Sequence, residues 1–159
     1  MYDFKIAAAD KATMYRDLAS ALKGLVTGEP DAIANMANAS ALIFETLPDV
    51  NWVGFYRNIG DELVLGPFQG RPACIRMTFE EGVCGAAAKS RQVQRVEDVH
   101  SFPGHIACDS ASNSEIVVPL IRDGEVLGVL DIDSPKSGRF TEEDEAGCIA
   151  LGEILSGAI

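Results

Sequence analysis

The sequence predicts an α+β domain: an antiparallel sheet, helices from both chain ends packed on one face, and a ligand pocket on the other. Two observations carry this. Apolar residues recur with helical spacing at both ends of the chain, and hairpin-like strand runs fill the middle. Residues 11–26 read as a helix ended by Gly28 and Pro30. A second helix places Ile33, Met36, Ala37, Ser40, Ile43, Phe44 and Leu47 on one stripe and stops at Pro48. Residues 50–59 and 63–68 then form a hairpin about Gly60-Asp61, followed by a strand over 74–79 and a small-residue helix over 85–89. Residues 97–112 form a long loop, a length that in compact domains often serves function. A second hairpin, 115–122 and 125–133, turns at Asp123-Gly124, so residues whose numbers sum to about 247 face each other and Glu115 falls opposite Ile132. The last helix is capped by Thr141, with Glu142, Glu143 and Asp144 in its positive first turn and Cys148, Leu151 and Leu155 on its buried stripe. No repeat or linker divides the chain, so residues 1–159 read as one domain.

Apolar residues make up 47% of the 159 and charged ones 23%, enough for a core without disulfide staples. Thirteen basic against 24 acidic residues give a net charge of −11, which argues against a nucleic-acid partner and against docking on anionic lipid. The acids keep the protein solvated, or some of them line a site for a cationic group; composition leaves both open. Residues 1–9 do not read as a signal peptide, and no apolar run nears the roughly 20 residues of a membrane span. Four scattered cysteines do not make a secreted disulfide scaffold, so a cytoplasmic, reducing setting is expected.

The chain lacks a phosphate-binding glycine loop, HExxH, GxSxG and CxxC. Local constellations remain. Trp52, Gly54 and Tyr56 share one strand face, with Val53 and Phe55 on the other. This is ordinary sheet packing, or an aromatic cage with a gap over the glycine for a small apolar or cationic group. Asp131 and Asp133 share a face near a strand end and, with Glu115, place three carboxylates in one neighbourhood. Solvent at the strand end would account for the two aspartates, and two ligands alone do not define a Mg²⁺ or Ca²⁺ site. Among the cysteines, Cys148 reads as core. Cys74, Cys84 and Cys108 are small buried hydrophobes, chemical thiols, or, with His105, zinc ligands. Nine residues between Cys74 and Cys84 and two between His105 and Cys108 do not match a usual zinc spacing. No metal and no resident cofactor are expected.

At these residues the chain resembles the free methionine-(R)-sulfoxide reductases, which are single GAF domains. The resemblance lies in residues 51–56 (NWVGFY), 65–70 (LGPFQG), 82–85 (GVCG), 93–117 with HIACD and SNSEIV, and 129–134 (VLDIDS). It spans roughly residues 50 to 146, and generic GAF domains lack the three cysteines in this setting. It implies that Cys108 attacks the sulfoxide sulfur and becomes a sulfenic acid, that Cys74 resolves it as a disulfide, and that Cys84 is an auxiliary thiol. It also implies that Trp52 and Tyr56 cage the methyl-sulfur end, that Glu115, Asp131 and Asp133 bind the polar groups, and that thioredoxin is the external reductant. The R preference comes wholly from the resemblance. The terminal helices are the candidate surface for a homodimer. The rival class is a GAF module that senses a small molecule without catalysis.

One tension follows from the residues themselves. Sulfoxide sulfur becomes electrophilic when its oxygen is protonated, and clustered carboxylates repel, which keeps a proton available near neutral pH. The same charge disfavours a Cys108 thiolate. The α-ammonium of a free amino acid would relieve that repulsion, and a peptide-bound residue has no such group.

Overall fold

A computed structural model describes Ile6, residues 10–106, Cys108 and residues 110–159. The leader reading of residues 1–9 therefore lies, but for Ile6, outside the described residues. Each long helix starts at a side-chain cap. In α1 (Lys11–Val26) the Asp10 carboxylate accepts from the Thr13 amide, and in α2 (Ala32–Thr46) Asp31 accepts from the Ala34 amide. In α4 (Glu142–Ser156) Thr141 and Asp144 form a reciprocal capping box, as the sequence predicts for Thr141.

Asp144 does more than cap. Its buried carboxylate accepts from Lys11 Nζ at 2.6 Å, Tyr15 Oη at 2.9 Å and the Thr141 amide at 2.8 Å, and it pairs with Arg139 Nη1 at 3.1 Å. This hub fastens α1 to α4, the pairing of terminal helices expected from the sequence.

Among the described residues, six antiparallel strands follow the order β3-β2-β1-β6-β5-β4. They are β1 (Trp52–Asn58), β2 (Glu62–Gln69), β3 (Arg76–Thr78), β4 (Gln94–Val96), β5 (Ser114–Arg122) and β6 (Glu125–Ser134). Side chains alternate across the sheet, so two cores share the same strands. Val53, Phe55, Ile116, Leu130 and Ile132 pack under α1, α2 and α4, together with Cys148. Trp52, Tyr56, Val117 and Val129 pack on the opposite face with α3 (Gly82–Ser90).

Four sequence readings change in detail. Helix α3 begins at Gly82 rather than Gly85, which puts Cys84 inside it. Strand β4 has only three residues, too few to show a period, and it lies in a stretch without a predicted strand. A short 3₁₀ turn, Val99–Ser101, interrupts the long loop. The second hairpin keeps the predicted register only next to its turn, at Arg122↔Glu125 and Ile121↔Val126. An irregularity between Leu120 and Ile121 then shifts it by one, so Glu115 faces Asp133, not Ile132. Gly128 sits at that irregularity with φ +156°, and a Cβ there would come within 2.2 Å of the Tyr56 carbonyl oxygen of β1.

Candidate active site

The register shift decides the chemistry of the pocket. With Glu115 opposite Asp133 and Val117 opposite Asp131, all three carboxylates fall on the sheet face that carries Trp52 and Tyr56. Helix α3 supplies Val83 and Cys84 as one wall, and the long loop brings His105, Ile106, Cys108 and Ser112 over the top. The Gly104 carbonyl accepts from the Gly82 amide at 3.2 Å, which fastens that loop to the start of α3.

Seven of the eight sequence-nominated residues line this cavity: Trp52, Tyr56, Cys84, Cys108, Glu115, Asp131 and Asp133. The eighth, Cys74, is bonded to Cys108 in a disulfide with its Cα atoms 5.3 Å apart. Two neighbours of Cys108, Ala107 and Asp109, lie outside the described residues. With the disulfide closed, the cavity measures about 30 Å³, room for roughly two waters and far below an ordinary small-molecule pocket.

The aromatic pair differs from an open cage. A Cβ on Gly54 would lie 2.3 Å from Phe68 Cβ and 2.6 Å from Trp52 Cη2, so the glycine makes room for the indole itself. Trp52 stacks between Phe68 at 5.2 Å and Tyr56 at 5.9 Å between ring centroids. Both polar tips reach the Cys74 segment: Trp52 Nε1 donates to the Arg71 carbonyl and Tyr56 Oη to the Cys74 carbonyl, each at 3.1 Å. The gap over the glycine is therefore filled, and the two rings wall the site while holding the segment that carries Cys74, which precedes β3 because the strand expected over 74–79 covers only Arg76–Thr78.

Glu115 and Asp131 are buried and Asp133 half-buried, among few compensating charges. No lysine or arginine lines the cavity among the described residues. Burial, then repulsion from Asp131 and Asp133, pushes the Glu115 carboxyl well above its ordinary range. Burial also raises Asp131 to about 6, against hydrogen bonds from Cys84 and Glu115 that lower it. Asp131 Oδ1 is buried without a hydrogen-bond partner. Cys84 Sγ lies 3.9 Å from Glu115 Oε1, and burial beside these acids raises its thiol well above the ordinary value, so it stays protonated. The site thus combines a protonated acid, Glu115, with an acid that ionises near 6, Asp131, one of whose oxygens lacks a hydrogen-bond partner.

A metal could draw only on part of this set. The zinc candidates Cys74 and Cys108 are joined to each other, and the donors within 4.8 Å of one another are Cys84, Glu115 and Asp131. Sequence reasoning did not nominate Met77, Val83, Ile106 or Ser112 for the site, and it weighed His105 only as a zinc ligand. Val83, His105, Ile106 and Ser112 lie within the stretches that carry the family resemblance, but their side chains, like that of Met77, give no chemical reason to single them out.

The curled sheet with helices on one face and a covered pocket on the other is that of a GAF domain, and the GAF-domain family model matches residues 31–159. Free methionine-R-sulfoxide reductase of Escherichia coli is 56% identical over 138 residues, covering 87% of this chain and 84% of that protein. The structure of the Neisseria meningitidis free methionine-R-sulfoxide reductase in complex with its substrate superposes with a TM-score of 0.95 at 44% identity, over 99% of this chain and 95% of that one. A putative GAF sensor protein of Burkholderia vietnamiensis is similar as well, with a TM-score of 0.92 and 55% identity over 94% and 96% of the two chains. The chain belongs to the free methionine-R-sulfoxide reductase family of GAF-domain proteins.

Proposed function

We propose that the protein reduces free methionine (R)-sulfoxide to methionine, using Cys108 as nucleophile. The observation that carries this is the Cys74–Cys108 bond at the mouth of a carboxylate-lined cavity. The Cys108 thiolate attacks the sulfoxide sulfur while Glu115, held protonated by burial, gives a proton to the oxygen. Oxygen passes to the Cys108 sulfur, methionine leaves, and Cys108 is a sulfenic acid. The Cys74 thiol then attacks that sulfur and expels water, forming the bond seen here. Cys84 serves as the auxiliary thiol that substitutes when Cys74 is missing.

Binding follows from charge. Asp131, with an orphan oxygen and no lysine or arginine beside it, pairs with the α-ammonium of the free amino acid, and Asp133 holds a second polar group. Trp52 and Tyr56 wall the methyl-sulfur end. The R preference is carried over from the names of the relatives. No resident cofactor takes part. An external dithiol such as thioredoxin reduces the disulfide, in keeping with a cytoplasmic setting, and the outer faces of α1 and α4 are the surface for a homodimer. No described helix is long and apolar enough to cross a membrane. A module that only senses a ligand gives no reason for two pocket thiols to reach bonding distance.

The test is single-turnover release of methionine from each free sulfoxide epimer. Cys108→Ser should release none, and Cys74→Ser should release one equivalent at the wild-type rate and then recycle with thioredoxin far more slowly, through Cys84 alone. Release from Cys108→Ser equal to wild type would end the assignment.

A further inference from the structure

The disulfide has to be reopened once per turnover, and its surroundings indicate from which side. Ile75 follows Cys74 directly and is 70% exposed, against 49% for Ile59, the next most exposed large apolar residue. Single exposed apolar residues are ordinary on surfaces. This one is distinguished by its setting. Its carbonyl accepts from the Leu65 amide at 2.9 Å, and the neighbouring Cys74 carbonyl accepts from Tyr56, so the segment is held from the inside while the Ile75 side chain faces solvent. The segment runs into β3, the last strand of the sheet, and no described strand pairs with its outer edge. Arg71 and Arg76 are both exposed, and no acid occurs between Glu62 and Glu80, in a chain whose net charge is −11. Arg76 pairs with Glu62 Oε2 at 2.7 Å in an exposed bridge, a weak tie in water, so Arg71 carries most of the local positive charge.

We infer that Ile75, the outer edge of β3 and the flanking Arg71 and Arg76 form the docking surface for a protein dithiol, which attacks the disulfide at Cys74. This deepens the proposed function by assigning a surface to its reductant. The occupant is set by the adjacent bond, because what docks beside an oxidised pair that must be reduced has to bring two thiols. An apolar anchor beside Arg71 and the exposed Arg76–Glu62 pair fits a partner with an apolar ring around its dithiol and an acid outside it. The exposed edge of β3 offers backbone hydrogen bonds to an extended loop of that partner. The partner thiolate attacks Cys74 Sγ, the Cys74–Cys108 bond breaks, and its electron pair leaves on Cys108 as thiolate. The partner's second thiol then attacks the mixed disulfide and frees Cys74, so the partner is oxidised and this chain reduced by two electrons. Attack at Cys74 frees Cys108 first, inside the cavity.

The experiment reads reduction of the oxidised protein directly and needs no sulfoxide. Wild type and Ile75→Asp are reduced in parallel by thioredoxin, with its reductase and NADPH, and by dithiothreitol. Ile75→Asp should slow thioredoxin roughly tenfold or more and leave dithiothreitol within twofold. A thioredoxin rate unchanged by the substitution overturns the docking surface. An equal fall with both reductants also overturns it, because Ile75 would then serve the disulfide itself. A thioredoxin lacking its second active-site cysteine should be trapped on Cys74, as mapped by mass spectrometry; trapping on Cys108 overturns the direction of attack. Failure of the proposed sulfoxide chemistry would appear separately, as absence of dithiothreitol-driven methionine release by the wild type.

Discussion

The Tyr56 hydroxyl donates to the Cys74 carbonyl across 18 residues of sequence, joining a pocket wall to the backbone of a disulfide cysteine. Burial pushes the phenol far above its ordinary range, so it stays a donor at all working pH values. Tyr56→Phe keeps the ring and deletes the bond. The expected cost is about 1 kcal/mol of stability, with a several-fold slower second step while the first release of methionine stays intact. Dimedone trapping should find more Cys108 sulfenic acid in this variant than in wild type.

If Asp131 holds the α-ammonium, N-acetylation of the substrate leaves a buried carboxylate unpaired. That costs about 2–5 kcal/mol, or roughly thirtyfold to several thousandfold in kcat/KM. Asp131 ionises near 6, so the preference for the free amino acid should shrink as pH falls through about 6 and the carboxylate takes up a proton. Asp131→Asn should shrink the preference at every pH. The measurement is the ratio of kcat/KM for the two substrates between pH 5 and 8. A ratio near one in wild type would mean that a closed pocket, not charge, excludes peptides.

The small cavity of the bonded form predicts that oxidised protein does not bind methionine sulfoxide. Calorimetry should give no heat with the oxidised wild type. Cys108→Ser, which cannot close the bond, should bind the substrate without turning it over. Equal binding by both would show that the loop over the site moves with the disulfide intact.

Asp144 supports the fold away from the pocket. Burial alone would raise its carboxyl, but hydrogen bonds from Lys11, Thr141, Tyr15 and Arg139 outweigh that and hold it at about 2. Its contribution is present above the unfolded value near 3.8 and lost as pH falls toward 2. Asp144→Ala strands the buried Arg139 charge and removes the helix cap, which should cost about 3–5 kcal/mol. Denaturant melts should show that loss, with kcat of the remaining folded protein unchanged.

Much of this architecture is readable without coordinates because its signals are local. Thr141 stands where a cap belongs, and the alternation of Trp52, Gly54 and Tyr56 fixes which face each residue takes; the sequence reading does not single out the caps Asp10 and Asp31. The opposition of Glu115 and Asp133 is not local. Counting back from Asp123-Gly124 gives the right partners until the irregularity at Leu120, where Gly128 lies close against β1. The pairing of Cys74 with Cys108 likewise depends on where a 16-residue loop lands, and spacing carries no trace of it; only the family resemblance pointed to it. Asp144 looks in sequence like one more acid in a first helical turn, because its partners Lys11 and Tyr15 are about 130 residues away.

The Cys74–Cys108 bond closes a span of 34 residues, which holds the two edge strands β3 and β4 and the helix α3 that walls the pocket. Closing a loop of that size removes chain entropy from the unfolded state worth up to about 4 kcal/mol. In the proposed cycle the protein would therefore alternate between a tougher and a softer form once per turnover, the tougher one being the form that waits for electrons. When reductant runs short, molecules accumulate in the state that best resists heat and proteolysis. A melting curve taken on a cell extract would then gauge how well electron supply keeps pace with oxidation.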